Sequence, residues 1–166
     1  MAVAGLAGGY NPGTRHAMKS AVVRDFRALV CWQLSHELKC EVFDFTSEDR
    51  AARDFKYRDQ IRDSSASAAS NIAEGFGRFT PGEFAQYLRW ARASLMETRN
   101  HLIDGHDRGY LSDALFRRLS NLAAAALKTT TNLMRSKQRE ATEARRRHGR
   151  RGPHPRSRNP SESSGS

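Results

Sequence analysis

The stretch that decides the fold is TPGEFAQYLRWARASLMETRNHL, residues 80–102. Thr80 is placed to cap a helix, Pro81 suits its first position, and Glu83 completes a capping box. We place this helix from Pro81 to about Asp107. Spacings of 4, 3, 4, 3 and 4 then put one stripe of positions on a single face, Phe84, Leu88, Ala91, Leu95, Thr98 and Leu102. The segment is therefore predicted to be an amphipathic helix that buries this face.

Three other segments have the same helical period. We predict a first helix from about Arg27 to Phe45, a second from about Asp54 to Phe76, and a fourth that follows Ser112 and runs out between Arg135 and Glu143. The expected inward positions are Leu34, Leu38, Val42 and Phe45; Tyr57, Ile61, Ser64 or Ser65, Ala68 and Ile72; and Leu115, Leu119, Leu122, Ala126, Thr129 and Leu133. No segment alternates with the period of a strand. The prediction is an all-α, antiparallel, up-down-up-down four-helix bundle, because short connections make neighbouring helices antiparallel.

The two ends of the chain differ in composition from its middle. Residues 1–24 are rich in Gly and Ala, and residues 137–166 are rich in Arg, Ser, Gly and Pro. We expect both ends to be disordered and the bundle to occupy residues 25–136, since neither end can form a core. The net charge is +10, and residues 137–166 hold nine Lys or Arg and only three Glu. Such a tail either attracts polyanions without sequence preference or only keeps the protein soluble.

The sequence predicts a cytoplasmic, soluble protein. It has no apolar run near the roughly 20 residues of a membrane span and no signal-peptide core in residues 1–19. Cys31 and Cys40 lie nine apart on one predicted helix, about 13 Å, and so cannot form a disulfide with each other. Met18, just before the predicted fold, is a candidate start residue.

The sequence contains no complete enzyme motif of the kinds considered below, so we expect neither catalysis, nor a metal, nor a cofactor. The serine-rich middle of the second helix, residues 64–70, suits close helix packing and lacks the His and acid of a nucleophile site. A di-iron bundle needs two Glu-x-x-His motifs, whereas Glu97 and His101 lie four apart. His36 and Glu37 begin like a zinc motif, but Cys40 takes the place of its second His.

Charged and apolar surface positions suggest binding to partners. Two apolar side chains of the first helix, Trp32 and Phe43, point away from its core stripe and are expected at an oligomer interface. The predicted phosphate contacts are arginines on the second and third helices, namely Arg58, Arg62, Arg89, Arg92 and Arg99. Arg78 is a further candidate. An acidic ridge on the first helix consists of Glu37, Glu41, Asp44 and Glu48. This ridge and the arginines of the third helix either pair, within the bundle or between subunits, or are two solvated faces.

Several motifs occur in a fixed order along residues 24–136. The central one is Ser70-Asn71-Ile72-Ala73-Glu74-Gly75-Phe76-Gly77-Arg78. Around it stand Phe26-Arg27-Ala28-Leu29-Val30-Cys31-Trp32-Gln33, Gln60-Ile61-Arg62, Glu83-Phe84, Leu88, Ala91-Arg92-Ala93-Ser94-Leu95-Met96-Glu97-Thr98 and Gly109-Tyr110-Leu111. In this order the motifs resemble the bacterial four-helix bundle proteins, the S23 or 23S rRNA intervening-sequence family. From their place beside the glycines, Asn71 and Glu74 are expected to shape the turn and the packing there.

The resemblance implies a function that spacing alone does not give. The family is similar to the accessory variability protein of diversity-generating retroelements, a homopentamer whose basic surface binds a reverse transcriptase and nucleic acid. By this resemblance we expect a non-enzymatic homo-oligomeric adaptor, a pentamer, that binds RNA or DNA, a reverse transcriptase, or both. The alternative is a protein-binding or structural bundle without a nucleic-acid role.

Overall fold

Four long helices and a short one make up residues 24–149, the part of the chain that the computed structural model describes. A 3-10 turn at Phe26–Ala28 leads into α1, Val30–Phe45. The others are α2, Asp49–Arg53; α3, Phe55–Phe76; α4, Pro81–Asp107; and α5, Asp113–Gly149. No strand occurs within this range. The predicted all-α bundle is confirmed.

The four long helices form a ring in which each packs against two neighbours. The order around the bundle is α1, α3, α4, α5, so α1 and α4 occupy opposite corners. Cross-helix pairs show the antiparallel direction: Ser64 meets Thr98, whereas Ser67, further along α3, meets Ser94, earlier in α4. The bundle therefore has four edges, and the edge between α1 and α3 lies opposite the edge between α4 and α5.

The core follows the stripe predicted for α4. Every member of that stripe is buried, and the largest fully buried side chains of all four long helices are Leu38, Val42, Ile61, Ile72, Leu88, Leu95, Leu102 and Leu119. Between α3 and α4 the core also contains hydroxyl groups, and Thr98 Oγ1 lies 3.0 Å from Ser64 Oγ. Because the serines are small, the backbones of α3 and α4 approach each other closely here.

Two glycines are required by this close packing. A Cβ on Gly75 would lie 2.5 Å from Cβ of Tyr87 and 2.8 Å from Cδ2 of Phe84. A Cβ on Gly105 would overlap the hydroxyl of Tyr57, which donates a hydrogen bond to the carbonyl of His101 at 3.0 Å. Both positions therefore need a residue without a side chain.

The structure differs from the sequence prediction at the C-terminal end. Residues 137–149, expected to belong to a disordered tail, continue α5 to Gly149. The sequence has no Gly or Pro between Asp113 and Gly149, and Arg, Lys, Glu, Gln and Ala propagate a helix that has already started. A segment too polar to form a core can therefore still be helical. Disorder was also predicted for residues 1–24 and 150–166. Except for Arg24, these residues lie outside the described range.

Two smaller differences occur around α1. It begins at Val30, three residues later than predicted, because Asp25 caps a 3-10 turn and accepts a hydrogen bond from the backbone N–H of Arg27 at 2.9 Å. The short helix α2 was not predicted; its anchor is Ala51, which is buried. Five residues give too little periodicity for recognition from sequence.

We expect Gly105→Ala to destabilise the protein by about 1–3 kcal/mol, because the added methyl group collides with Tyr57 in a packed core. Urea unfolding measures the change. Gly82→Ala is the matched control, since a Cβ there lies 3.7 Å from Ala141, an ordinary contact. Tyr57→Phe should recover part of the loss in the double variant; equal stability of Gly105→Ala and wild type would contradict the close contact.

Asp54 joins the start of α3 to the connection between α4 and α5. Its carboxylate accepts hydrogen bonds from the backbone N–H of Tyr57 at 3.1 Å, the hydroxyl of Tyr110 at 3.0 Å and the guanidinium of Arg108 at 3.1 Å. The bond from Tyr57, followed by that from Tyr110, lowers the pKa of Asp54 below its ordinary value of 3.8. A carboxyl with a lowered folded-state pKa stabilises the fold above its unfolded pKa, and this contribution is lost as the pH falls through the folded pKa.

Asp54→Asn should therefore lower the stability at about pH 7 and have a smaller effect at about pH 2.5, because the stabilisation by the wild-type carboxylate decreases once the pH falls below the unfolded pKa toward the folded one. Urea unfolding at the two pH values gives the comparison. Asp63→Asn, an exposed position, is the control. If Asp54→Asn lost the same free energy of unfolding relative to wild type at low pH as at neutral pH, the proposed role of the Asp54 carboxylate would be refuted.

Candidate nucleic-acid interface

A groove of about 290 Å³ runs along the edge between α4 and α5. Among the described residues, the lining contains four cations and no carboxylate. It consists of Arg92, Arg99, Ala124, Leu127, Lys128, Thr131, Asn132 and Arg135. We call these residues the α4/α5 groove. Two of the lining residues are apolar: Leu127, which packs against the core, and Ala124, which is small. They contribute an apolar part to a lining that is otherwise polar and basic.

The cations of the groove are arranged in two rows. Arg92 and Arg99 lie seven residues apart on α4, and Lys128 and Arg135 lie seven apart on α5. Seven residues are two helical turns, so the members of each row share a face and are spaced by about 10 Å along the axis. Within residues 24–149 none of the four forms an ion pair. Their positive charge therefore remains available to an anion.

The positive row on α5 continues past the groove. Arg135 also lines a second surface depression with Gln138, Arg139, Thr142, Glu143 and Arg146. We call the cations Lys128, Arg135, Arg139 and Arg146 the α5 stripe; it spans residues 128–146, or about 27 Å. Among the described residues, Glu143 is the one acid that lines this second depression. The α5 stripe thus extends the α4/α5 groove along the bundle axis.

The end of α5 has no helix beside it among residues 24–149. Gly82, at the start of α4, lies level with Ala141, so residues 142–149 extend beyond the first turn of α4. All of residues 142–149 are exposed. We call residues 142–149 the α5 arm. Arg145, Arg146 and Arg147 make it strongly basic.

The arginines predicted to bind phosphate do not form one surface. Arg92 and Arg99 line the α4/α5 groove, and Arg89 is exposed one turn before Arg92. Arg58 and Arg62 project from α3 toward α1 and α2, at the opposite edge of the bundle. Spacing along one helix gave the direction of each side chain but not the neighbouring helix that it faces. Phosphate binding by these residues stays a prediction.

Arg62 is bound to the end of α1. Its guanidinium donates hydrogen bonds to Thr46 Oγ1 at 2.7 Å, Ser47 Oγ at 2.8 Å and the carbonyl of Phe43 at 3.2 Å, and it stacks on the Phe43 ring at 4.8 Å. Arg58 is also occupied within the chain, because its guanidinium forms an ion pair with the Asp59 carboxylate at 2.8 Å. Arg62 therefore satisfies a carbonyl group at the C-terminus of α1.

The side chains of the central sequence motif tie α3 to α4. Glu74 accepts a hydrogen bond from the hydroxyl of Tyr87 at 2.7 Å, and Arg78 contacts both Glu74 and the Tyr87 hydroxyl. The bond from Tyr87, with that from Arg78, lowers the pKa of Glu74. Asn71 Nδ2 donates to the carbonyl of Ser67 at 2.9 Å. The contact with Tyr87 agrees with the packing role expected for Glu74, whereas the bond of Asn71 lies within α3. Arg78 is occupied by Glu74 and Tyr87.

The acidic ridge does not meet the arginines of α4 within the chain, because α1 and α4 occupy opposite corners. Its member Glu41 instead pairs with Arg118 of α5 at 2.9 Å. The predicted interface residues are half-buried by contacts within the chain: Trp32 stacks on His36 at 4.7 Å, and Phe43 lies under Arg62. An oligomer interface at Trp32 and Phe43 stays a prediction.

Metal-ligating side chains are scattered over residues 24–149. In this range no three His, Cys, Asp or Glu side chains are grouped as a metal site would require. None of the described helices is long and apolar enough to cross a membrane. Cys31 and Cys40 are both free, as predicted; burial raises the pKa of the Cys31 thiol to about 11, which keeps it protonated.

Sequence reasoning missed the α5 cations. Lys128 and Arg135 have the same spacing of seven as Arg92 and Arg99, and that repeat was visible. Its meaning depends on α4 and α5 being neighbours. Arg139 and Arg146 were assigned to a disordered tail and so were not placed on any helix face.

Comparisons with known proteins agree with this architecture. The family model described as 23S rRNA-intervening sequence protein matches residues 27–132. This chain belongs to that family. The matched range includes α1 and the groove as far as Asn132, whereas Arg135, Arg139 and Arg146 lie beyond it. The 23S rRNA-intervening sequence family therefore accounts for the bundle but not for the α5 arm.

A solved structure shows the same fold. It is a protein of unknown function from the S23 ribosomal protein family of Bacteroides thetaiotaomicron, with a TM-score of 0.58 and 19% sequence identity. The similarity covers 63% of this chain and 98% of that one. At this identity the likeness concerns the fold. No curated protein matched the chain.

We expect Arg62→Gln to reduce the free energy of unfolding by about 1–3 kcal/mol, because hydrogen bonds from a charged donor to the end of α1 are lost. Urea unfolding tests this. Arg89→Gln, an exposed arginine without an ion pair among the described residues, should change stability by less than about 0.5 kcal/mol. Equal effects of the two substitutions would show that Arg62 does not hold α1.

Proposed function

We propose that this protein is a non-enzymatic adaptor that binds nucleic acid, RNA foremost, along the α4/α5 groove and the α5 stripe. One observation supports this most directly. Arg92, Arg99, Lys128 and Arg135 line one groove without a carboxylate among its lining residues, and none forms an ion pair within residues 24–149. Positive charges kept apart from acids in this way leave their attraction to an external polyanion uncompensated.

The groove suits phosphate contacts better than the reading of bases. Arginine guanidinium groups bind phosphate oxygens through paired N–H donors, and a lysine acts as a point charge. Asn132 adds an exposed amide to the lining. Each phosphate that is neutralised releases counterions, which gives affinity that depends strongly on salt and little on sequence.

RNA is the first nucleic acid to test. The family and the structural neighbour both carry ribosomal names, which supports RNA without excluding DNA. The proposal includes assembly into a cytoplasmic homo-oligomer, a pentamer by the resemblance described above, which would multiply the phosphate contacts by avidity. A nucleic-acid enzyme such as a reverse transcriptase is the proposed protein partner.

The test is a salt titration of RNA binding by the full-length protein, followed by fluorescence anisotropy. Arg92→Gln/Arg99→Gln removes two phosphate contacts. For a single strand, it should reduce the magnitude of the negative slope of log binding constant against log salt concentration by about 1.4. The matched control is Arg50→Gln/Arg53→Gln on α2, which removes the same charge away from the groove and should keep the slope near that of wild type.

Two outcomes would contradict the proposal. Equal effects of the two double variants would show that net charge, not the α4/α5 groove, drives binding. Absence of RNA and DNA binding by wild type would leave the alternative, a protein-binding or structural bundle. Light scattering on the same samples gives the subunit number, and a monomeric mass would refute the oligomeric part of the proposal.

A further inference from the structure

Trp90 is a large aromatic side chain on the surface of α4. It is 47% exposed, although most of the apolar side chains of α4 face the core. Its neighbours one turn further along are Ala93 and Ser94, whose side chains are too short to cover an indole ring. A flat aromatic surface therefore remains accessible to a ligand.

The ring of Trp90 is held by a series of contacts. It makes an edge-to-face contact with Tyr87, with ring centroids 4.7 Å apart and planes at 79°. Tyr87 is itself fixed, because its hydroxyl donates to Glu74 and the guanidinium of Arg78 stacks on its ring at 4.6 Å. A ring that is already ordered loses little conformational freedom when a ligand stacks on it.

Trp90 lies on the flank of α4 toward α3, the α4/α5 groove lies on the opposite flank, and Arg89 lies on the outer face between them. Arg89 is exposed, has no ion pair among residues 24–149 and lies one turn from Arg92 of the groove. Two acids, Glu83 and Glu97, lie two turns away on either side of Trp90. Glu83 is bonded to Thr80 in the capping box, and Glu97 lies 3.9 Å from His101. A ligand that reaches from Trp90 to the groove therefore has to cross the outer face of α4, where Arg89 is exposed.

We propose that Trp90 is a stacking platform for an unpaired base of a single-stranded nucleic acid whose phosphates follow Arg89 and the α4/α5 groove. The inference rests on the proposed function and specifies its ligand as a single strand or an unpaired loop. Every base has a π-face, so stacking gives affinity without sequence preference. In a duplex the bases stack on each other and are not available to Trp90.

Phe79, in the connection between α3 and α4, is a weaker candidate. It is fully exposed but makes no aromatic contact within the described range, so nothing orders its ring. The ligand surface therefore centres on Trp90.

The first experiment compares three RNA probes bound to the full-length protein at constant salt. The probes are a 12-nucleotide single strand, a strand with the same number of phosphates and abasic sites throughout, and a blunt-ended duplex of equal phosphate number. Trp90→Ala should weaken binding to the single strand by on the order of tenfold and leave binding to the abasic strand and to the duplex unchanged. Trp90→Phe should retain most of the affinity.

Ile103→Ala is the matched control for lost apolar surface. Ile103 lies on α4 and is exposed to a similar extent, 52%, but cannot stack on a base. Its substitution should leave all three affinities unchanged. An equal loss on the single and abasic strands with Trp90→Ala would overturn the stacking proposal.

The second experiment observes the ring directly. The chain has two tryptophans, and Trp32→Phe leaves Trp90 as the single indole emitter. Binding of the single strand should quench its fluorescence, and binding of the abasic strand should not. Bound single strand without quenching would overturn the proposal.

The two proposals fail separately. If Arg92→Gln/Arg99→Gln weakens RNA binding while Trp90→Ala does not, the stacking site is wrong and the proposed function stands. If wild type binds none of the probes, both are wrong. A change in solution mass with Trp90→Ala, without a change in RNA affinity, would assign Trp90 to an interface between copies and overturn the stacking site.

Discussion

The close approach of α3 and α4 is the constraint on which the other features depend. There is no room for a Cβ at Gly75 or Gly105. The hydrogen-bonded hydroxyls of Ser64 and Thr98 lie between α3 and α4, where larger side chains would hold the two helices further apart. With its inner face pressed against α3 and the core, α4 can place its arginines only outward or toward α5. The position of the positive surface is thus a consequence of small residues on the other side of the helix.

The same packing separates arginines by role. Arg62 and Arg78 are held by backbone carbonyls, hydroxyl groups, a carboxylate and aromatic rings within the chain. Arg92 and Arg99, in contrast, face a groove whose lining includes Lys128 and Arg135. Arginines that satisfy groups inside the bundle stabilise it, whereas arginines that repel their neighbours add an electrostatic cost that a polyanion would remove.

Much of the fold could be predicted from the sequence, since local signals decide helix boundaries. The capping box at Thr80 gave the start of α4 correctly, and its apolar period gave the buried face. The site could be predicted only in part. Arg92 and Arg99, which line the candidate groove, were among the predicted residues. Arg58 and Arg62 were grouped with them although they face another edge, because a helical period does not say which helix lies alongside. Lys128 and Arg135 were missed for the same reason.

The α5 arm has a mechanical consequence. Its eight residues, about 12 Å of helix, extend past the first turn of α4, and no other helix of residues 24–149 lies beside them. Three consecutive arginines repel one another there, so the stiffness of the arm depends on the ions around it. Dissolved ions screen that repulsion, so we expect the arm to be more rigid at higher ionic strength. How far the arm reaches past the bundle is then expected to depend on the salt concentration.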